Sequence, residues 1–255
     1  MVPRTHLTAA RLPMSRTPDT AFRINPYTRW VYDHPERLLA EPTPALLARA
    51  RQLAAPASRL EVDLGCGSGN FLVQLAAAHS DRHYVGFELR YKRLVKSARK
   101  LERQGCTNAW LLREAAERFG EYFAPASVDC VYVNFPDPWP RRTQWKKRLI
   151  GKAFLEELQR VLKPGGEVRL KTDHSGYFLH VLELTRELPG WRLSQFANDL
   201  HRGIPRVQQC HGDRPRPIPL NVETEFEQLF LSKRQPVHFV AVQKTGAGRD
   251  PALSH

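Results

Sequence analysis

The spacing of apolar positions changes character several times along the chain. At Thr43-Pro44 a threonine in an N-cap position and a proline in the first turn precede Leu46, Leu47, Ala50 and Leu53 at helical spacing, which predicts a helix and the start of a folded domain. Four short runs rich in β-branched and aromatic residues follow, LEVDLG (60–65), YVGFE (84–88), AWLLRE (109–114) and VDCVYVNF (128–135), separated by helix-length segments or loops. A further helix carrying Phe154, Leu155, Leu158, Val161 and Leu162 stops at Pro164-Gly165-Gly166, and EVRLKTD resumes an extended pattern. WRLSQFA (191–197) and VHFVAVQK (237–244) complete the set of expected strands. Strands that alternate with helices predict an α/β domain built on a parallel sheet.

The ends differ from the middle. Residues 1–40 mix Arg4, Arg11, Arg16, Arg23 and Arg29 with prolines and scattered aromatics and show no period, so they read as a flexible basic arm. The domain is expected over 41–245, with a tail at 246–255, and the proline-containing stretch 201–222 reads as a functional loop. At 255 residues with 42% apolar content the chain can bury a substantial core. Its 39 Lys and Arg outweigh 26 Asp and Glu, a net charge of +13, which points to a polyanionic partner. No apolar run approaches the roughly 20 residues of a spanning helix, which argues against a membrane protein. Cys66, Cys106, Cys130 and Cys210 show neither paired spacing nor disulfide density, so a reducing, cytoplasmic setting is expected.

Candidate chemistry begins where the first strand runs into Asp63-Leu64-Gly65-Cys66-Gly67-Ser68-Gly69-Asn70. Glycines allow a sharp strand-to-helix turn and close approach of a ligand at the carboxyl edge of a sheet. The spacing is GxGxG rather than the GxGxxG of dinucleotide sites, and it is preceded by an acid. An anionic pyrophosphate is a poor neighbour for Asp63, whereas S-adenosylmethionine (SAM) presents a sulfonium and an ammonium group. Glu88 ends the second strand about 20 residues past Gly69, where a carboxylate can accept from both ribose hydroxyls. Directly after it, RYKRLVKSARKLER places Leu94, Ala98 and Leu101 on one helical face and Lys92, Lys96, Arg99 and Arg103 on another, a pattern suited to phosphate contact. Arg141, Arg142, Lys146, Lys147 and Arg148 make a second basic patch, and Arg202, Arg206, Arg214 and Arg216 a third.

The fourth strand ends in Asn134-Phe135-Pro136-Asp137-Pro138-Trp139-Pro140. Prolines around one acid and one indole predict a stiff loop that fixes Asp137, while Trp139 could stack on a base or pack the loop onto the sheet. With DLGCGSGNFL, VGFE, RVLKPGG, TDHSGY and VETEFE, the block VNFPDPWPRRTQWKKRLI resembles the bacterial tRNA (guanine-N7)-methyltransferase family over most of residues 60–230. The resemblance implies a Rossmann-like fold with a seven-stranded, mainly parallel sheet whose last strand is antiparallel. It implies SAM held by Asp63, Glu88 and Asp137, with Asp137 also the catalytic acid. Arg141 stands where a lysine contacts substrate, Asp173 matches the acid of a TD motif, and Thr224, Glu225, Phe226 and Glu227 match a substrate-binding TKFE stretch. An adenine-side aspartate-alanine pair places its acid at Ala115, with Glu114 one residue away as a substitute. The implied partner is tRNA, and no obligate protein partner is inferred.

These residue types suit the reaction. Guanine N7 carries a lone pair and no proton at neutral pH, so no general base is needed. No cysteine nucleophile is needed either, and Cys66 and Cys130 read as structural. His174, His201, His211 and Cys210 lack closed ligand spacing, so no metal is expected. Two other readings remain: a non-catalytic RNA-binding protein on the same scaffold, and a methyltransferase of exocyclic amines, because NFPDPW is loosely similar to the Asn/Asp-Pro-Pro-aromatic loop of such enzymes.

Overall fold

The structure, a computed structural model, describes residues 25–34, 38–39, 59–202 and 222–246. The helix expected after Thr43, the arginines at positions 4, 11, 16 and 23, Arg206, Cys210, His211, Arg214, Arg216 and most of the C-terminal tail lie outside the described residues.

In chain order the elements are α1 (Pro26–Asp33), β1 (Leu38–Leu39), β2 (Arg59–Leu64), α2 (Asn70–Ala78), β3 (Arg82–Phe87), α3 (Tyr91–Arg103), β4 (Ala109–Leu112), a 3-10 helix (Ala116–Tyr122), β5 (Val128–Asn134), a second 3-10 helix (Arg142–Lys147), α4 (Lys152–Val161), β6 (Leu162–Thr172), α5 (Ser175–Glu187), β7 (Trp191–Ala197), α6 (Glu225–Ser232) and β8 (His238–Lys244). They form one sheet in the order β1-β4-β3-β2-β5-β6-β8-β7. Strands β1 to β6 pair in parallel, and β8 runs antiparallel to both β6 and β7. The mainly parallel sheet with VHFVAVQK reversed is therefore present, and the two-residue β1 adds an edge strand beside the seven expected. The α4-to-β6 junction follows from Lys163-Pro164-Gly165-Gly166. Register jumps from Val128 opposite Leu162 to Cys130 opposite Glu167, and Gly165 takes φ +75° to make the bulge.

Both faces of the sheet are buried, which explains strands that are apolar on both sides. One face packs Leu60, Val62 and Leu64 of β2 against Leu155 and Leu158 of α4 and Tyr177 and Val181 of α5. The other packs Cys130 and Tyr132 of β5 with Phe71 and Leu72 of α2 and Leu94, Ala98 and Leu101 of α3. The last three are 0% exposed, while Lys92, Lys96, Arg99 and Arg103 face outward, as their spacing requires.

One expectation is corrected. Residues 26–33, read as part of an aperiodic arm, form α1, which buries Val31 against the α2/α3 layer. Its start carried a signal: Asn25 accepts the Tyr27 N–H at 3.0 Å, and Pro26 occupies the first turn.

The chain leaves β2 outward to β3 and β4, then returns to β5 on the other side of β2. The carboxyl ends of β2 and β5 thus flank the reversal point of an open α/β sheet, where a crevice opens for a ligand.

Candidate active site and cofactor cleft

A cleft of about 380 Å³ occupies that crevice, lined by the ends of β2, β3, β4 and β5 and by the start of α6. Its size lies within the roughly 300–1,000 Å³ of small-molecule sites. Asp63, on β2, is 2% exposed. Asn134 of β5 donates to its Oδ1 at 3.3 Å, and its Oδ2 is buried without a hydrogen-bond partner among the described residues. Burial pushes the Asp63 carboxyl up to about 7, with Glu88 adding to the rise and Asn134 and Lys171 opposing it. Such a group is incomplete without a cationic donor.

The loop beyond Asp63 is built for close approach. At Gly67 φ is +59°, a conformation that favours glycine. At Gly69, which caps α2 with φ +79°, an added Cβ would lie 2.5 Å from Ser97 Oγ of α3. Gly69 therefore lets the helices meet and does not itself line the cleft, unlike Gly65 and Gly67. The Ser97 hydroxyl donates to the Gly67 carbonyl at 3.0 Å and braces the loop from behind. Glu88, 8% exposed at the end of β3, accepts from the Arg90 N–H at 2.8 Å and lies 3.7 Å from Arg93 Nη1. Glu88 is one of the residues that line the cleft.

At the end of β4 the structure corrects the sequence reading. Glu114, not Ala115, lines the cleft; Ala115 turns aside and donates its N–H to Glu114 Oε1 at 2.8 Å. The other Glu114 oxygen accepts from Tyr122 OH and Arg118 Nη1, both at 2.7 Å. Ala115 is the extended N-cap of the 3-10 helix, whose first residue, Ala116, returns to the cleft lining.

Asn134, Phe135, Pro136, Asp137 and Trp139 line the opposite wall, and Asp137 is exposed to the cleft. Phe135 and Trp139 hold φ of +50° and +43°, so the proline-rich loop is strained as well as stiff. Three contacts hold it in place. The Phe135 ring stacks on Phe230 of α6 at 5.3 Å, Lys147 Nζ lies 4.7 Å from the Trp139 ring centroid, and Arg148 Nε donates to the Pro138 carbonyl at 2.9 Å. Arg148, 5% exposed, also donates to the Gly176 carbonyl at 3.2 Å and lies against the rings of Trp145 and Tyr177. Lys147, Arg90 and Arg93 line the cleft although the sequence pattern did not single out a cofactor-side role for them.

The TEFE stretch divides. Thr224, Glu225 and Phe226 line the cleft, and Phe226 is 43% exposed. Glu227 is 0% exposed and is consumed by the fold: it accepts from Lys171 Nζ at 2.8 Å and His201 Nε2 at 2.8 Å, and it forms a capping box with Thr224. A direct substrate contact for Glu227 is thus corrected to anchoring of α6 on β6. Asp173 and Arg141 do not line the cleft either; Asp173 is half-buried at the end of β6, and Arg141 is exposed ahead of the second 3-10 helix. Among the described residues no three His, Cys, Asp or Glu could share a metal ion, and His174 caps α5 by accepting the Tyr177 N–H. Cys66 is buried and its thiol pushed well up by desolvation, which leaves it protonated and unsuited to nucleophilic attack. No helix among the described residues is long and apolar enough to cross a membrane.

The residues present fit SAM: a buried carboxylate with one unpartnered oxygen for the ammonium, a glycine turn for the backbone-side approach, and two acids at successive strand ends for the nucleoside. Residues 57–240 match a family model described as "Putative methyltransferase". The chain is 37% identical over 191 residues to a tRNA (guanine-N(7)-)-methyltransferase of Bdellovibrio bacteriovorus, covering 75% of this chain and 85% of that one. It is 33% identical over 187 residues to a bifunctional glycosyltransferase/methyltransferase of Fusobacterium nucleatum, covering 73% of this chain but spanning only 27% of that protein's length. Among solved structures, the 16S rRNA methyltransferase KamB superposes with a TM-score of 0.57 at 16% identity, covering 82% of this chain and 99% of that one, a likeness of fold.

Proposed function

Because the chain belongs to the tRNA (guanine-N7)-methyltransferase family, we propose that it transfers a methyl group from SAM to N7 of a guanine in tRNA, in the variable loop. The observation that carries the reading is that Asp137 shares one cleft with Asp63, Glu88 and the glycine turn. SAM, when bound, supplies an electrophilic methyl group on a positively charged sulfur.

The chain's residues do the rest. Asp63 would hold the ammonium, Glu88 the ribose and Glu114 the adenine side of the nucleoside. Guanine N7 carries its lone pair without a proton at neutral pH, so none of the chain's residues has to remove one before transfer. Positive charge then develops on the purine, and Asp137, fixed by the strained proline loop, faces it. Alignment of nucleophile and donor can contribute about 7–11 kcal/mol in favourable cases, and a preplaced carboxylate a few kcal/mol more. Trp139 and Phe226, both in the cleft lining, offer aromatic rings to an unstacked base.

The amine-methylating reading differs in its product, an N-methylated amine in place of 7-methylguanosine. The test is incubation with methyl-labelled SAM and bulk tRNA, followed by nucleoside identification and mapping of the labelled position. Label in 7-methylguanosine is expected, at a rate cut at least a hundredfold in Asp137→Ala. Label in an N-methylated amine, or none, would overturn the proposal.

A further inference from the structure

A second concavity lies outside the cofactor cleft, about 620 Å³ in volume, between α3 and the first turn of α6. It is lined by Lys96, Arg99, Lys100 and Arg103 with Glu102 and Glu225. All four cations project from one helix, and Lys92 continues their row toward the cleft mouth. Like charges at this spacing repel by a few tenths of a kcal/mol per pair. Among the described residues none of Lys92, Lys96, Arg99 or Arg103 pairs with a carboxylate. Arg99 instead lies 5.6 Å from the centroid of the Trp30 ring of α1, and Arg103 Nε donates to the Arg99 carbonyl at 3.3 Å. A fold that holds unpaired cations in a row is complementary to an anion supplied from outside.

The shape selects the kind of anion. From Lys92 to Arg103 the row runs about 16 Å along the helix, too long for one small anion and suited to consecutive groups of a polymer. The row is also fixed relative to the chemistry, since Ser97 of the same helix holds the glycine turn. Glu225 joins the two concavities. It lines both, and its Oε1 lies 3.4 Å from Lys100 Nζ, which also donates to Asn70 Oδ1 at the start of α2.

We propose that this groove binds backbone phosphates of the RNA substrate, and that a phosphate seated there takes Lys100 from Glu225, so that occupation of the groove is felt at the wall of the cofactor cleft. The inference rests on the RNA-methylating reading. A phosphate is the stronger partner for Lys100 because it brings its charge into a surface where four cations converge, whereas Glu225 faces them from one edge. Loss of Glu225 should therefore help RNA, and loss of groove cations should weaken it.

The test measures binding of bulk tRNA as a function of salt. Removing two phosphate contacts in a Lys96→Ala/Arg103→Ala variant is expected to flatten the slope of log K against log salt by about 1.5–2. Affinity for SAM, measured by calorimetry, is expected to stay within twofold and reports an intact fold. A Lys152→Ala/Arg186→Ala variant loses the same charge from exposed positions on α4 and α5, on the other face of the sheet, and should keep the native slope. Glu225→Gln should tighten tRNA binding severalfold at low salt. Equal slopes for the two double variants, or weaker tRNA binding by Glu225→Gln, would overturn the groove. Absence of 7-methylguanosine with the native protein would instead sink the functional reading on which the groove rests.

Discussion

Asp63 shows how one residue can be unfavourable to the folded chain and necessary to its chemistry. Its carboxyl is carried up to about 7 chiefly by desolvation, from an ordinary value near 4. The sign is that of a raised acid: the fold binds this proton more tightly than the unfolded chain, so the contribution of Asp63 to stability declines as pH rises from about 4 to about 7. An ammonium group beside Oδ2 selects the carboxylate, so binding must release the proton that the empty cleft retains. SAM affinity is therefore expected to rise with pH between 5.5 and 7, approaching tenfold per unit at the acid end, and to level off above. Calorimetry in two buffers of different ionisation heat should show proton release near pH 6, and Asp63→Asn should bind weakly with no such release. Equal affinity at pH 5.5 and 7.5 would contradict the assignment. Asp63, Gly67 and Glu88 were legible in the sequence because their signal is local, an acid and a glycine turn at two strand ends. Glu227 was not, since its partners Lys171 and His201 are distant along the chain and only folding shows that they consume its carboxylate.

Among the elements, the loop from Asn134 to Pro140 depends most on its surroundings. Its prolines announce rigidity, but they do not announce what aims it, and the positive φ of Phe135 and Trp139 requires outside support. Arg148 supplies much of that support. It joins the Pro138 carbonyl of this loop to the Gly176 carbonyl at the start of α5, buried against two rings. In the sequence it is the last cation of a run that reads as a phosphate patch, and burial alone separates it from exposed Arg141 and Arg142. Arg148→Gln removes the fork that spans the two carbonyls. Since a misplacement of about 1 Å can cost on the order of a hundredfold in rate, kcat is expected to fall ten- to a hundredfold. SAM affinity should change less than threefold, because Asp63, Glu88 and the glycine turn do not touch Arg148. Arg148→Lys should recover only part of the loss, as a single ammonium cannot reach both carbonyls in the same geometry. An unchanged kcat in a folded Arg148→Gln variant, checked by its melting temperature, would show that the loop holds its own shape. The helix α1 was missed for a related reason: its short segment buries Val31, and contacts such as Arg99 over Trp30 come from another helix.

At the scale of the whole molecule, the order of strands and helices was readable because every central strand is buried on both faces and so appears as an apolar run. The crevice follows from topology, since the chain turns back at β2 and opens a gap toward β5. A ligand in that gap contacts the ends of four strands and the start of α6, from Asp63 to Phe226 in sequence. It therefore cannot stay bound when either side of the sheet comes apart, and its binding energy should appear in the stability of the whole domain. At a concentration about a hundred times its dissociation constant, a ligand specific for the folded state adds about 2.7 kcal/mol. For a domain of this size each kcal/mol raises the melting temperature by roughly 2–4 °C, so SAM is expected to raise it by about 5–10 °C in a single transition. Gly67→Val provides the control: a branched side chain at φ +59° disfavours the turn that the cofactor approaches, and the shift should vanish while the ligand-free transition remains cooperative. A native protein whose melting temperature ignores SAM, or a Gly67→Val variant that shifts as far as the native protein, would mean that the ligand sits elsewhere than between β2 and β5.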